Sequence, residues 1–220
     1  MSIPCAVGCT AYRRENPTGS EKGRRILEPL ELLAVALSVA AVWWTTVRNA
    51  LCWPVGLVSV LLYGWIFYGA HLYSDALLQL VYAALQCYGW WQWRRAPRVA
   101  RRPQVRRPRM PDLALAVLLG VTGALALGTV MSRYTDAAFP WLDATLTALS
   151  LVAQYWMARL YRINWLLWIA VDLVYVGLYV VRDLPLTAAL YAGFVVLAAL
   201  GWRQWGRSEP DHALVQGAGA

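Results

Sequence analysis

Three stretches of this chain set polar and aromatic side chains along one face of an otherwise apolar helix. Asp75, Gln79, Tyr82 and Gln86 fall at i, i+4, i+7 and i+11. Asp143, Thr147, Ser150 and Gln154 repeat that spacing, and Trp165, Trp168, Asp172 and Tyr175 fall at i, i+3, i+7 and i+10. At helical periodicity each set forms a single stripe. Tryptophan faces attract positive charge through the ring quadrupole, contributing about 0.5–2 kcal/mol each according to desolvation. A carboxylate selects the same sign of charge, while carboxamides and phenols bond hydroxyls and amides. Together these groups suit a flat, cationic heteroaromatic ligand. Asp172 is the acid deepest within an apolar run, where an ionised group is costly unless it meets a partner or a ligand.

Several of these residues also have plainer readings. Asp75 and Asp143 lie near the ends of apolar runs, where a carboxylate can cap a helix. Gln86 and Gln154 can bond across helices as structural glue. Trp90, Trp91, Trp93, Trp202 and Trp205 gather at run ends, the pattern of anchors at a bilayer interface. His71 is a lone loop histidine, better suited to solvent than to catalysis. The runs hold no nucleophile–base pair, no metal-ligand cluster and no Walker motif. That argues against an intramembrane enzyme or an ATPase, and no metal or cofactor is expected. Arg and Lys are absent from their interiors, so nothing there clamps a phosphate.

The elements that carry these stripes are long and apolar. Of 220 residues, 60% are hydrophobic and 15% charged, against about a quarter charged in a soluble domain. Seven runs, at about 30–47, 50–69, 73–93, 112–131, 141–160, 163–181 and 185–205, approach the roughly 20 residues that cross a bilayer. Most lack the polar face of a soluble bundle helix, so an all-α integral membrane protein with seven transmembrane helices is expected. Cys52 and Cys87 fall inside these runs and read as small buried hydrophobes.

Seven spans put the loops after the first, third and fifth helices on the same side as the C-terminus. That side carries 13 of the 20 Lys and Arg residues, including eight arginines between Arg94 and Arg109. Such loops stay in the cytoplasm, so the C-terminus is expected there, and the arginine run is a loop rather than a nucleic-acid patch. The tail 1–28, with Arg13, Arg14, Lys22, Arg24 and Arg25, falls on the other side and conflicts with this rule. Its Cys5 and Cys9 precede no apolar core, so it is not read as a signal peptide; a start codon placed too far upstream would account for it.

The chain also repeats itself at an interval of 112 residues. Trp53, Tyr63, Gly89, Trp90, Gln92 and Trp93 recur without a gap as Trp165, Tyr175, Gly201, Trp202, Gln204 and Trp205. Two three-helix repeats, 29–93 and 141–207, flank the arginine-rich loop 94–111 and a fourth helix at 112–132, with a tail at 208–220. That extra crossing makes the repeats parallel, about an axis along the membrane normal. The fourth helix has the composition of a connector, with Ala116, Gly120, Ala124 and Gly128 recurring every four residues. This stripe allows close approach of a neighbouring helix, in the same chain or in another copy. The polar stripes are not duplicated. Opposite Gln79, Tyr82 and Gln86 stand Tyr191, Phe194 and Ala198, and opposite Trp168 and Asp172 stand Gly56 and Val60. A purely structural protein gives no reason for that divergence; one asymmetric pocket does. Its candidate residues are Gln79, Tyr82, Gln86, Gln154, Asn164, Trp165, Trp168, Asp172 and Tyr175.

The segment from Asn49 through CWPVGLVSVLLYGWIFY, the stretch LYSDALLQLVYAALQCYGWWQWRR and the run NWLLWIAVDLVYVGLYV resemble the PnuC family of bacterial vitamin transporters. The Trp-x-x-Trp of Trp165 and Trp168, followed by Asp172, resembles that family's signature, and the likeness covers roughly residues 30–207. It implies a 3+1+3 helix fold of SWEET-like architecture, assembled as a homotrimer in the bacterial inner membrane. The implied activity is facilitated diffusion of nicotinamide riboside, an NAD precursor, trapped inside by a cytoplasmic kinase. Trp165 and Trp168 would then hold the nicotinamide end, and Asn49, at the head of the first matching segment, joins the candidates. Relatives that carry thiamine or riboflavin are also implied. Thiamine is likewise a flat cation, whereas riboflavin is neutral and larger and would use Asp172 poorly.

Overall fold

Seven helices account for nearly all of the computed structural model, which describes residues 21–69, 71–99, 102–134 and 139–207. They are α1 (Glu21–Thr46), α2 (Cys52–Gly69), α3 (Tyr73–Arg95), α4 (Met110–Tyr134), α5 (Pro140–Ala158), α6 (Asn164–Val181) and α7 (Pro185–Gly206). Each falls on one of the seven apolar runs; α1 alone starts well ahead of its run. Cys5, Cys9, Arg13, Arg14, Arg101 and the tail from 208 lie outside the described residues. Among the described residues, α1, α2, α4, α6 and α7 contain spans long and apolar enough to cross a membrane. The remaining two, α3 and α5, are the helices that carry Gln79, Gln86, Ser150 and Gln154. They pack against each other, which keeps those side chains in protein rather than lipid.

The helices end in a common way. Arg48 (φ 55°), His71 (φ 61°), Leu160 (φ 63°) and Asp183 (φ 54°) are left-handed, and each lies just past the end of a helix. After α1, the Arg48 amide donates to the Thr45 carbonyl and the Asn49 amide to that of Trp44; after α5, Leu160 and Tyr161 repeat this onto Met157 and Trp156. His71 and Leu72 bond Tyr68 and Phe67, and Asp183 and Leu184 bond Val180 and Tyr179. All four are Schellman closures. A left-handed residue other than glycine costs about 1–3 kcal/mol, so surrounding structure must hold it. Arg48 with Leu160 and His71 with Asp183 are pairs in the 112-residue register.

Packing follows the same register. The α1–α2 and α2–α3 contacts have counterparts in α5–α6 and α6–α7, and the α1–α7 contact has its counterpart in α3–α5. The helix α4 lies along α5. Its small-residue stripe faces that neighbour within the same chain: Gly120 adjoins Val152, a side chain at Gly128 would overlap the Trp141 ring, and Ala116 packs with Trp156 and Tyr161. The rest of α4, including Val117, Leu118, Val121 and Leu125, is exposed and apolar.

The arginine-rich loop contains a short antiparallel hairpin, β1 (Arg98–Val99) with β2 (Arg102–Pro103), which the sequence does not foreshadow. Its surroundings tie into the turns of both halves. Arg48 Nη1 donates to the Pro103 carbonyl at 3.0 Å, and the Arg106 amide donates to the Leu160 carbonyl at 2.9 Å.

Candidate functional site

At the arginine-rich end of the bundle four tryptophans meet. The Trp53 and Trp93 centroids are 5.3 Å apart at 82°, and Trp165 and Trp205 are 5.5 Å apart at 90°. Trp93 and Trp205 lie 6.0 Å apart and join the two pairs. Edge-to-face geometry suits the ring quadrupoles. Side chains at Gly89 and Gly201 would overlap the Trp53 and Trp165 rings respectively, so both glycines are there to admit an indole. Trp93 Nε1 donates to the Met157 carbonyl at 3.2 Å, and Trp205 Nε1 donates to the Thr45 carbonyl at 3.2 Å. Met157 and Thr45 are again 112 residues apart. The expectation that Trp93 and Trp205 are interface anchors is corrected here: both are fully buried, whereas Trp90 and Trp91 are exposed. Helix rotation set by the α3–α5 and α1–α7 contacts turns one subset of end tryptophans inward.

One helical turn deeper lies a polar layer. Asn164, Trp168 and Asp172, spaced i, i+4 and i+8 on α6, share a face and are each at most 2% exposed. Asn164 Oδ1, Trp168 Nε1 and Asp172 Oδ2 have no hydrogen-bond partner among the described residues, and the same holds for Gln154 Oε1 on α5 and both amide atoms of Gln79 on α3. Leaving a buried polar group unmatched costs about 1–3 kcal/mol, more for a charge. Groups of this kind therefore lie on three helices, α3, α5 and α6. Asn164 Nδ2 itself donates to the Tyr161 carbonyl at 2.6 Å. The Gln86 amide lies over Gly56, where any side chain would collide with it, and the stem of Gln79 lies beside Gly64. Tyr82 is fully buried on the same face of α3.

Beyond this layer the bundle is aromatic again. Tyr175 stacks on Tyr179 at 5.8 Å and meets Tyr191 at 5.0 Å, and Tyr63 stacks on Phe67 at 5.8 Å. Along α6, Trp168 and Asp172 thus fall between Trp165 of the indole cluster and Tyr175 of the phenol cluster.

The structure brings Gln79, Tyr82, Gln86, Gln154, Asn164, Trp168 and Asp172 into the buried interior. It puts Trp165 in the tryptophan cluster and Tyr175 in the tyrosine cluster, so these two bound the layer from either side. Asn49 is a correction. It is exposed on the α1–α2 turn, where its Oδ1 accepts the Leu51 amide at 3.0 Å, a local backbone bond typical of asparagine at a helix entry. Asp75 and Asp143 provide no side-chain cap for their helices. Sequence reasoning missed Tyr179, Tyr191 and the Ser38–Ser59 hydroxyl pair at 2.7 Å between α1 and α2. The register pairing Ser59 with Val171 and Tyr191 with Gln79 holds that signal.

Several long apolar helices that bury polar side chains between aromatic clusters fit a multi-pass membrane transporter. Residues 28–207 match the nicotinamide mononucleotide transporter family, and the chain belongs to this family, which includes PnuC. It is 29% identical over 175 residues to the nicotinamide riboside transporter PnuC of Escherichia coli K12, covering 68% of this chain and 73% of that one. It is 31% identical over 196 residues to the riboflavin/roseoflavin transporter RibM of Streptomyces davaonensis, covering 87% and 88%. A crystal structure of the vitamin B3 transporter PnuC superposes with a TM-score of 0.66 at 23% identity, over 90% of this chain and 86% of that one.

Proposed function

We propose that this chain carries nicotinamide riboside across the membrane by facilitated diffusion, through a site formed by Gln79, Tyr82, Gln86, Gln154, Asn164, Trp168 and Asp172. The observation that carries the reading is Asp172, 2% exposed, with one oxygen unmatched among the described residues and Trp168 one turn away. A pyridinium ring would supply the missing positive charge and lie against an indole, while the carboxamides accept and donate to ribose hydroxyls. The buried polar residues of this layer include no Arg or Lys, so the unphosphorylated riboside fits better than the mononucleotide. Trp165 and Tyr175 line its two ends. Phosphorylation by a cytoplasmic kinase then traps the product and keeps the gradient inward.

The architecture that goes with this activity is two parallel three-helix repeats, 29–93 and 141–207, joined by α4. The matching Schellman turns, indole pairs and helix contacts support it. Rocking of the halves about the Trp93–Trp205 contact would open the layer to either side. All seven helices cross the inner membrane, with the arginine-rich turns and the C-terminus in the cytoplasm. The exposed apolar face of α4 suits lipid or the neighbouring subunit of a homotrimer.

A riboflavin carrier is the second reading, favoured by the identity and coverage of the RibM match. Uptake of labelled riboside and labelled riboflavin into proteoliposomes separates the two. Riboside uptake lost in Asp172→Asn and Trp168→Ala, with both variants folded, supports the first. Riboflavin uptake that survives Asp172→Asn, without riboside uptake in the parent, supports the second. Unchanged riboside uptake in both variants sinks the site.

A further inference from the structure

On the arginine-rich face a pocket of about 390 Å³ is lined by Val47, Arg48, Asn49, Ala50, Arg98, Arg102 and Pro103. Three of its seven lining residues are arginines and none is acidic. Arg48 is 8% exposed and is pinned at the pocket wall by its bond to the Pro103 carbonyl. Burial, and next the charge of Arg102, push its pKa down. The turn itself does not call for a guanidinium. In the other half the same left-handed position is Leu160, aliphatic and 2% exposed.

We propose that this pocket binds a phosphate group, with Arg48 and Arg102 as its principal ligands and Arg98 at the rim. Planar guanidinium forks match phosphate oxygens in pairs, and the arginine-lined, acid-free wall of the pocket suits an anion of that shape. The phosphate comes either from a soluble monoester in the compartment facing these turns or from an anionic lipid headgroup at the bilayer surface. The pocket shares no residue with the proposed vitamin site, so the proposal stands whichever vitamin is carried.

Purified full-length protein tests this in two arms, each comparing the parent with Arg48→Leu/Arg102→Gln and with the rim variant Arg98→Gln. The leucine copies the residue that already closes the equivalent turn. The first arm titrates inorganic phosphate and a nucleoside monophosphate at constant ionic strength in detergent, reading the thermal unfolding midpoint. The second compares nanodiscs of phosphatidylcholine alone with discs containing phosphatidylglycerol, reading hydrogen exchange at residues 47–50 and at Arg102. A soluble source gives a phosphate-dependent rise in midpoint, with affinity weakened at least tenfold in the double variant and less in Arg98→Gln. A lipid source gives protection by phosphatidylglycerol that the double variant loses, with no effect of soluble phosphate. Parent and double variant responding alike in both arms overturns the proposal.

Discussion

Asp172 and Trp168 occupy adjacent turns of α6, and each has a buried polar atom unmatched among the described residues. If the ligand is cationic, Asp172→Asn removes a charge-assisted contact of about 1.5–3 kcal/mol, which at 1.4 kcal/mol per decade is about a 10–100-fold loss of affinity. Trp168→Ala should cost about 3–30-fold, from about 0.5–2 kcal/mol of cation–π energy. Isothermal titration with the riboside reads both, and a neutral ligand should be nearly indifferent to the aspartate change. The glycines beneath the indoles act on stability instead. Gly89→Ala and Gly201→Ala each force a methyl into a tryptophan ring, and overpacking of that kind costs about 1–3 kcal/mol. Both should lower the thermal midpoint in detergent; an unshifted midpoint in either would mean that the indole has room to move.

Among the helices, α4 is held chiefly through α5, and at Gly128 any side chain would meet the Trp141 ring. Gly128→Leu is expected to destabilise the protein by roughly 1–3 kcal/mol through overpacking, whereas Leu118→Ala on the exposed face should leave the subunit's stability near that of the parent. Thermal unfolding distinguishes the two, and equal destabilisation would argue that α4 is held through its other face. The seven helices were legible in sequence because long apolar runs are bounded by Arg, Pro and polar turns. The partner of the small-residue stripe was not legible. Such a stripe states that a helix comes close, and only packing says which one. The hairpin around Arg98–Pro103 was equally hidden, since two-residue strands have no periodicity to read.

For the molecule taken together, the register predicts equivalence. Trp93→Phe and Trp205→Phe each remove one donor to a carbonyl of the opposite half, at about 0.5–1.5 kcal/mol. The two should lower the unfolding midpoint by similar amounts, and a marked difference would count against two equivalent halves. A C-terminal fluorescent reporter should be active in the cytoplasm if the arginine-rich turns face inward; activity only on the outside reverses the proposed orientation.

Composition and periodicity established a multi-span helical protein, an internal duplication and a set of polar stripes, because span length, repeat register and the cost of polar groups in lipid are written along one dimension. Residue identity does not reveal the rotation of one helix against the next. Trp90 and Trp93 sit three residues apart on α3, yet one is 38% exposed and the other is buried in the four-indole cluster. Asn49 looked like a site residue and closes a turn, while Arg48 beside it enters a pocket with arginines some fifty residues along the chain. Those outcomes depend on contacts across the bundle, where the α1–α7 and α3–α5 packing chooses which face of each helix turns inward.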